Sequence, residues 1–189
     1  FEIQMRTALQ HVWATVNHDT GYKSAVDVPV EYSRRLSRLA GLLEMADEEF
    51  NNIRCEIENY KRRVTVLVAG GKFDEVSLNI DSFEDYMKLD PFRKLIDAIA
   101  AVNNAQVVEV SAKPYLEVFQ KLGFRTLGDI ERFREDCYDP AFHLASYQIG
   151  VTDIDIIAST IGVQNLVIVY ILKNGGGVRE LVLCSIFFN

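Results

Sequence analysis

Leu36, Leu39, Leu42, Leu43, Ala46, Phe50, Ile53, Ile57 and Tyr60 fall along one helical stripe, with Arg34, Arg35, Arg38, Glu48, Glu49, Arg54, Glu56 and Lys61 set between them. This pattern predicts one long amphipathic helix from about Glu31, with room for at most one break, stopped by the "AGGK" at residues 69–72. A helix with a single apolar stripe must lay that stripe on something. The rest of the chain is therefore read first for what it offers as a partner.

Ahead of the long helix, Phe1, Ile3 and Met5 alternate with Glu2, Gln4 and Arg6, the signature of a strand with one wet face. Thr7 is placed to cap a helix, Leu9, Val12, Trp13 and Val16 supply its apolar face, and Gly21 supplies its stop. After the "AGGK" turn the segments are shorter. Residues 76–80, "VSLNI", and 106–110, "QVVEV", read as two strands that would pair with each other. Asp90 before Pro91 reads as a cap followed by proline at the first helical position. Helical patterns follow over 92–102, 114–122, 127–137, 140–149, 153–160, 164–173 and 178–187, with glycines as punctuation. The expectation is an α+β, predominantly helical chain in two domains, residues 1–69 and 72–189, with the long helix followed by a helical bundle.

The longest apolar run, residues 165–172, is far short of the roughly 20 residues a spanning helix needs, so no membrane segment and a cytoplasmic location are expected. The net charge is −7, and most of it lies after Val64. Lys and Arg are what phosphate contacts require, so the acidic second half is expected to bind no DNA and to suit protein recognition better than RNA. Cys55, Cys137 and Cys184 are far apart and form no CxxC pair, which argues for reduced thiols instead of a disulfide frame or zinc site.

The opening row has a chemistry of its own. Residues i, i+2 and i+4 of a strand share a face, so Glu2, Gln4 and Arg6 would present a carboxylate, an amide and a guanidinium together. Such a row suits a divalent metal, a ribose hydroxyl and a phosphate. On pattern alone it better suits the solvated face of an edge strand, since alternation is ordinarily half-burial. His11 and His18 read from the residues alone as a surface and a helix-end histidine, Trp13 as a core anchor, and His143 as structural. "AGGK" lacks the GxxxxGK[ST] frame of a phosphate loop and is a turn, as is the "NGGG" at 174–177.

The string "EIQMRTALQHVWATVNHDTGYK" resembles the final signature of the RelA/SpoT synthetase family, matched at Glu2, Gln4, Arg6, Thr7, Trp13, Ala14 and His18. The following "RRLSRLAGLLEMADEEFNNIR" resembles the helical tail of small stand-alone members. The resemblance covers about the first third of the chain. It implies a nucleotidyltransferase-like synthetase core that transfers pyrophosphate from ATP to the ribose 3′-hydroxyl of GTP or GDP, with Mg²⁺, making the alarmone (p)ppGpp of the stringent response. It further implies that Glu2 is catalytic and a metal ligand at the reacting centre, and that Gln4 lines the acceptor-nucleotide side. His11 and the backbone at Ala14 would contact the guanine. Asn17 stands where the family commonly has an acidic residue.

The family also uses a basic segment that grips ATP phosphates, an acidic metal ligand and a Gly-Tyr-Arg-Ser stretch, all ahead of this motif. The chain is therefore expected to be the C-terminal part of such an enzyme, inactive by itself, with residues 72–189 as a mostly helical accessory domain. The rival reading is a non-catalytic regulatory or oligomerisation module carrying a degenerate synthetase remnant. Either way a homo-oligomer or a protein partner would engage the helical region.

Overall fold

The computed structural model describes residues 5–21 and 30–177. The expected strand over residues 1–6 and the expected helix over 178–187 lie wholly or mostly outside them. The chain divides into two compact units, Phe1–Tyr60 and Lys61–Asn189, each taken by itself. The fold is predominantly helical, as the sequence pattern predicts.

The first unit is built from α1, Ala8–Gly21, and most of α2, Val30–Ala69. The long apolar stripe does form a single unbroken helix. Its end is a Schellman cap: Gly71 adopts φ +70°, Lys72 N donates to the Leu67 carbonyl at 2.9 Å, and Gly71 N donates to Val68 at 3.1 Å. Within the unit, Thr7 Oγ1 donates to Asp47 Oδ2 of α2. Leu36, Leu43 and Ala46 are half-buried, whereas Leu39, Phe50, Ile53 and Ile57 are exposed.

The second unit begins with the last turns of α2, where Val64 and Val68 are buried. Lys61 meets Asp81 at 2.9 Å and the Thr65 hydroxyl donates to Asp85 at 2.6 Å. A 3₁₀ turn at Phe73–Glu75 leads to α3, Ile80–Met87, and α4, Arg93–Ala100. Strand β1, Gln106–Val108, precedes α5, Tyr115–Lys121, and α6, Leu127–Gly150. Strand β2, Ile156–Ala158, and α7, Ile161–Lys173, complete the described chain. The core lies between α6 and α7. Leu127, Ile130, Phe133, Cys137, Ala141, Ala145 and Ile149 form one buried stripe of α6, at the three-to-four spacing of a helix face. Helix α7 buries Val163, Leu166, Val167, Val169 and Ile171, which do not fit on one face. An apolar-all-round helix belongs in an interior. Phe119, Phe124, Phe133 and Tyr170 close over it edge-to-face or stacked at 5.3–5.6 Å between ring centres.

Several expectations are corrected here. Residues 106–108 are a strand, but β1 pairs in parallel with β2, Val107 opposite Ile157, and not with residues 76–80. The helix expected over 153–160 is thus replaced by β2: Ile157 is buried while Ile156 is exposed, the alternation of a strand. Residues 76–78 are extended, yet they pair with the start of α6 through a Ser77–Thr126 bridge. Asn79 then caps α3, its Oδ1 accepting from Ser82 N at 3.1 Å while Ser82 Oγ accepts from Asn79 N at 3.0 Å. Asp90 is not a cap. At φ +52° it closes the turn after α3, and α4 starts at Arg93.

The two helices expected over 127–137 and 140–149 are one, because Pro140 is accommodated inside α6. Proline removes the N–H that would bond the carbonyl four residues back. That carbonyl, Asp136 O, instead accepts from Lys173 Nζ of α7 at 3.0 Å. Elsewhere in the core, Tyr86 Oη donates to Glu131 Oε1, and Arg134 donates to Glu131 Oε2 at 2.5 Å and to Pro91 O at 2.9 Å. The buried tyrosine hydroxyl is held neutral, its pKa driven upward by burial and by the glutamate. Gly128 is required at its position: a Cβ there would lie 2.0 Å from Asp74 Oδ1 and 3.0 Å from its Cα.

Two predictions follow from this packing. Lys173→Met keeps the aliphatic stem and leaves the exposed Asp136 carbonyl to water, and should cost about 0.5 kcal/mol in denaturant unfolding. Asp129 is the N3 carboxylate of the α6 capping box. Burial acts to raise its pKa, but the N–H groups of Arg125 at 2.8 Å and Thr126 at 2.9 Å, with the Arg132 guanidinium, outweigh this and hold it at about 2. A depressed carboxylate stabilises above its unfolded pKa and loses that contribution as pH falls through the folded value. Asp129→Asn should therefore be less stable at pH 7, on the order of 1 kcal/mol after solvent screening. The gap should close between about pH 4 and pH 2 in thermal melts.

Candidate functional site

The residues implicated by the opening motif divide in two. Glu2 and Gln4 lie outside the described residues, so their placement beside α1 is not described. His11 and Ala14 both lie on α1. Being three residues apart, they share a face across one turn. His11 is exposed and Ala14 half-buried.

The start of α1 is fixed by a reciprocal cap. Thr7 Oγ1 accepts from Gln10 N at 3.1 Å, and Gln10 Oε1 accepts from Thr7 N at 3.2 Å. The Thr7 carbonyl accepts from His11 N at 2.9 Å, so the cap sets the position from which the His11 side chain departs. Trp13 is half-buried and His18 lies exposed in the last turn. Farther along the first unit, Ser33, Arg34, Ser37 and Arg38 line a shallow groove of about 440 Å³ on α2. Two guanidinium groups one turn apart there give the first unit a cationic face. Among the described residues no group of three or more His, Cys, Asp or Glu is placed to hold a metal. None of their helices is long and apolar enough to cross a membrane.

A second concavity belongs to the second unit. A cleft of about 590 Å³ opens beyond the carboxyl ends of β1 and β2, where ligand sites of parallel sheets commonly lie. Its floor includes Phe83, Phe92 and Val163, and Ser111, Ser159 and Thr160 bring hydroxyls to it. Ser159 Oγ ties the two strand ends together, accepting from Val110 N at 2.9 Å and donating to Val110 O at 3.2 Å. Burial raises the Tyr115 hydroxyl to about 12, partly offset by its hydrogen bond with Thr160.

The three cations at this cleft are already spoken for. Lys88 meets Asp85 at 2.6 Å, Arg93 meets Asp97 at 2.8 Å, and Lys113 meets Glu84 at 2.7 Å. The hydrogen bonds from Lys88 and then Thr65 lower the Asp85 pKa, and the same Lys88–Asp85 bond raises that of Lys88. All three cationic side chains are exposed, so these pairs balance the charge of the rim without locking it. The sequence pattern does not single out this cleft, because its lining comes from three separated segments. The usable signal was two short β-branched runs each followed by hydroxyl residues.

Comparison with known proteins adds one partial likeness. The chain matches the GTP pyrophosphokinase YjbM of Bacillus subtilis (strain 168) at 37% identity over 57 residues, 30% of this chain. The match spans 27% of that protein's length. No protein-family model matches the chain, and no solved structure matches it. Over a short stretch, therefore, the chain is similar to a GTP pyrophosphokinase.

Because the Thr7–Gln10 cap positions the helix bearing His11, Thr7→Ala should cost α1 about 1 kcal/mol. The expected readout is faster hydrogen exchange at the first amides of α1, with exchange in α6 unchanged.

Proposed function

We propose that residues 1–69 supply the final strand and following helices of a RelA/SpoT-type nucleotide pyrophosphokinase, which moves pyrophosphate from ATP to the 3′-hydroxyl of GTP or GDP. The observation that carries the reading is the partial match to a GTP pyrophosphokinase, joined to the motif "EIQMRTALQHVWATVNHDTGYK". The shared face of His11 and Ala14 on a capped helix agrees with it.

In this reading Glu2 orients or deprotonates the attacking hydroxyl and offers the hard oxygen ligand that Mg²⁺ prefers. When bound, Mg²⁺ would neutralise phosphate charge. Gln4 faces the acceptor nucleotide, the His11 side chain is a hydrogen-bond donor for the guanine edge, and Ala14 keeps the backbone accessible beside it. Phosphoryl transfer depends mainly on positioning and charge neutralisation, which is why one carboxylate at the right place matters so much. The phosphate-gripping segment and the Gly-Tyr-Arg-Ser stretch of that family do not occur in this sequence. This chain alone is accordingly proposed to be inactive, with ATP and GTP or GDP bound by the protein that carries a complete core. The exposed apolar stripe of α2 favours a second reading, a non-catalytic regulatory or oligomerisation module.

The deciding assay follows transfer from labelled ATP to GTP and GDP by protein carrying this chain together with a complete core. Glu2→Gln should lower kcat by about 10²–10⁴-fold. His11→Ala should raise KM for the guanine nucleotide more than it lowers kcat. A Glu2→Gln protein with unchanged alarmone output would overturn the proposal.

A further inference from the structure

Among the described residues, β1 has a strand neighbour on one side only. Gln106 N donates to Asp155 O at 2.7 Å, Ser159 N donates to Val108 O at 2.8 Å, and Val110 N donates to Ser159 Oγ at 2.9 Å. Residues 106, 108 and 110 thus turn their backbone groups toward β2. In an extended chain the residues between them turn theirs to the opposite edge. The ties of Val110 to Ser159 carry this line past the end of β1, through Glu109 and Ser111. Among the described residues nothing bonds the backbone N–H or C=O of either. An edge of unpaired N–H and C=O groups is a template for another extended chain.

This edge lies at the cleft of about 590 Å³, whose lining includes Glu109, Val110 and Ser111. That volume is within the range of ordinary ligand sites. Val110, 49% exposed, and the half-buried Met87 give the cleft an apolar surface still open to contact. Charge indicates what kind of chain fits. Lys88, Arg93 and Lys113 pair with Asp85, Asp97 and Glu84, which leaves Asp90 and Glu109 over. Both are exposed, and neither carboxylate accepts a hydrogen bond or forms an ion pair with a described residue. Arg93 stays bonded to Asp97 at 2.8 Å while it feels the charge of both. The uncompensated charge of the cleft is therefore negative, in keeping with the net −7 that lies mostly after Val64.

We propose that the cleft binds an extended peptide of alternating apolar and basic residues, added as a strand to the open edge of β1 at Glu109 and Ser111. Main-chain hydrogen bonds supply the affinity in this mode of recognition, and side chains supply the choice of partner. The apolar side chains would pack on Val110 and Met87, and the basic ones would meet Asp90 and Glu109. This rests on the second unit alone and not on the function proposed above.

Titration of the whole chain with a blocked octapeptide alternating valine with lysine and arginine, followed by amide nuclear magnetic resonance, tests the proposal. Saturable one-to-one binding is expected, with large shifts at the Glu109 and Ser111 amides. Replacing the basic residues of the peptide by glutamate should abolish it. N-methylation of alternate peptide residues along one edge should abolish binding, whereas methylation along the other edge should leave it. Asp90→Asn with Glu109→Gln should weaken binding roughly tenfold at low salt. Asparagine tolerates the left-handed backbone that Asp90 holds at φ +52°. Absence of saturable binding, equal tolerance of methylation on both edges, equally tight binding of spermidine, or full affinity in the double variant would each overturn the proposal. So would slow hydrogen exchange at the Glu109 and Ser111 amides without peptide, which would show the edge already taken by this chain or a second copy.

Discussion

The burial of α7 against the apolar stripe of α6 is the interaction on which the second unit depends. Helix α7 has no polar face to turn outward, so α6, the phenylalanine cluster and the two short strands are arranged to enclose it. The internal Pro140 shows how closely the two helices are matched. The carbonyl it leaves unbonded accepts from the last lysine of α7, and α6 runs on through the proline. Tyr86, Glu131 and Arg134 pair with one another beside this interior, whereas Arg134 Nε, Ser146 Oγ and, on α7 itself, Asn165 Oδ1 are buried without a partner among the described residues.

The first unit follows a different logic. Its one long helix has the apolar content to pack but leaves the middle of its apolar stripe in contact with water. Residues implied in nucleotide chemistry sit on the preceding helix α1, whose start is fixed by a cap of its own residues.

What the sequence disclosed and what it concealed follow from the range of the interactions involved. The helices α1, α2, α4, α5 and α7 were legible because period and end signals are local: Thr7 and the "AGGK" stop act within a turn of their positions. The pairing of β1 with β2 was not legible, since parallel strands are brought together by a crossover through two helices, and a three-residue strand carries too little alternation to declare itself. Residues 153–160 looked helical for that reason. Helix α6 was split into 127–137 and 140–149 around Pro140, because the lysine that meets the freed carbonyl lies on another helix. Asp90 misled in the same way: a cap and a left-handed turn residue look alike until φ is known. The motif pointed to His11 and Ala14, which lie on α1, whereas the cleft beyond the strands, assembled from three separated segments, carried no motif.

The enclosure of α7 by the apolar stripe of α6 holds the second unit together. Amide hydrogen exchange of the intact chain, compared with that of Leu166→Ala, addresses it most directly. Amides of Leu127–Gly150 and Ile161–Lys173 should exchange slowly and should speed up together in Leu166→Ala. A Leu166→Ala chain in which α6 keeps its full protection would contradict this.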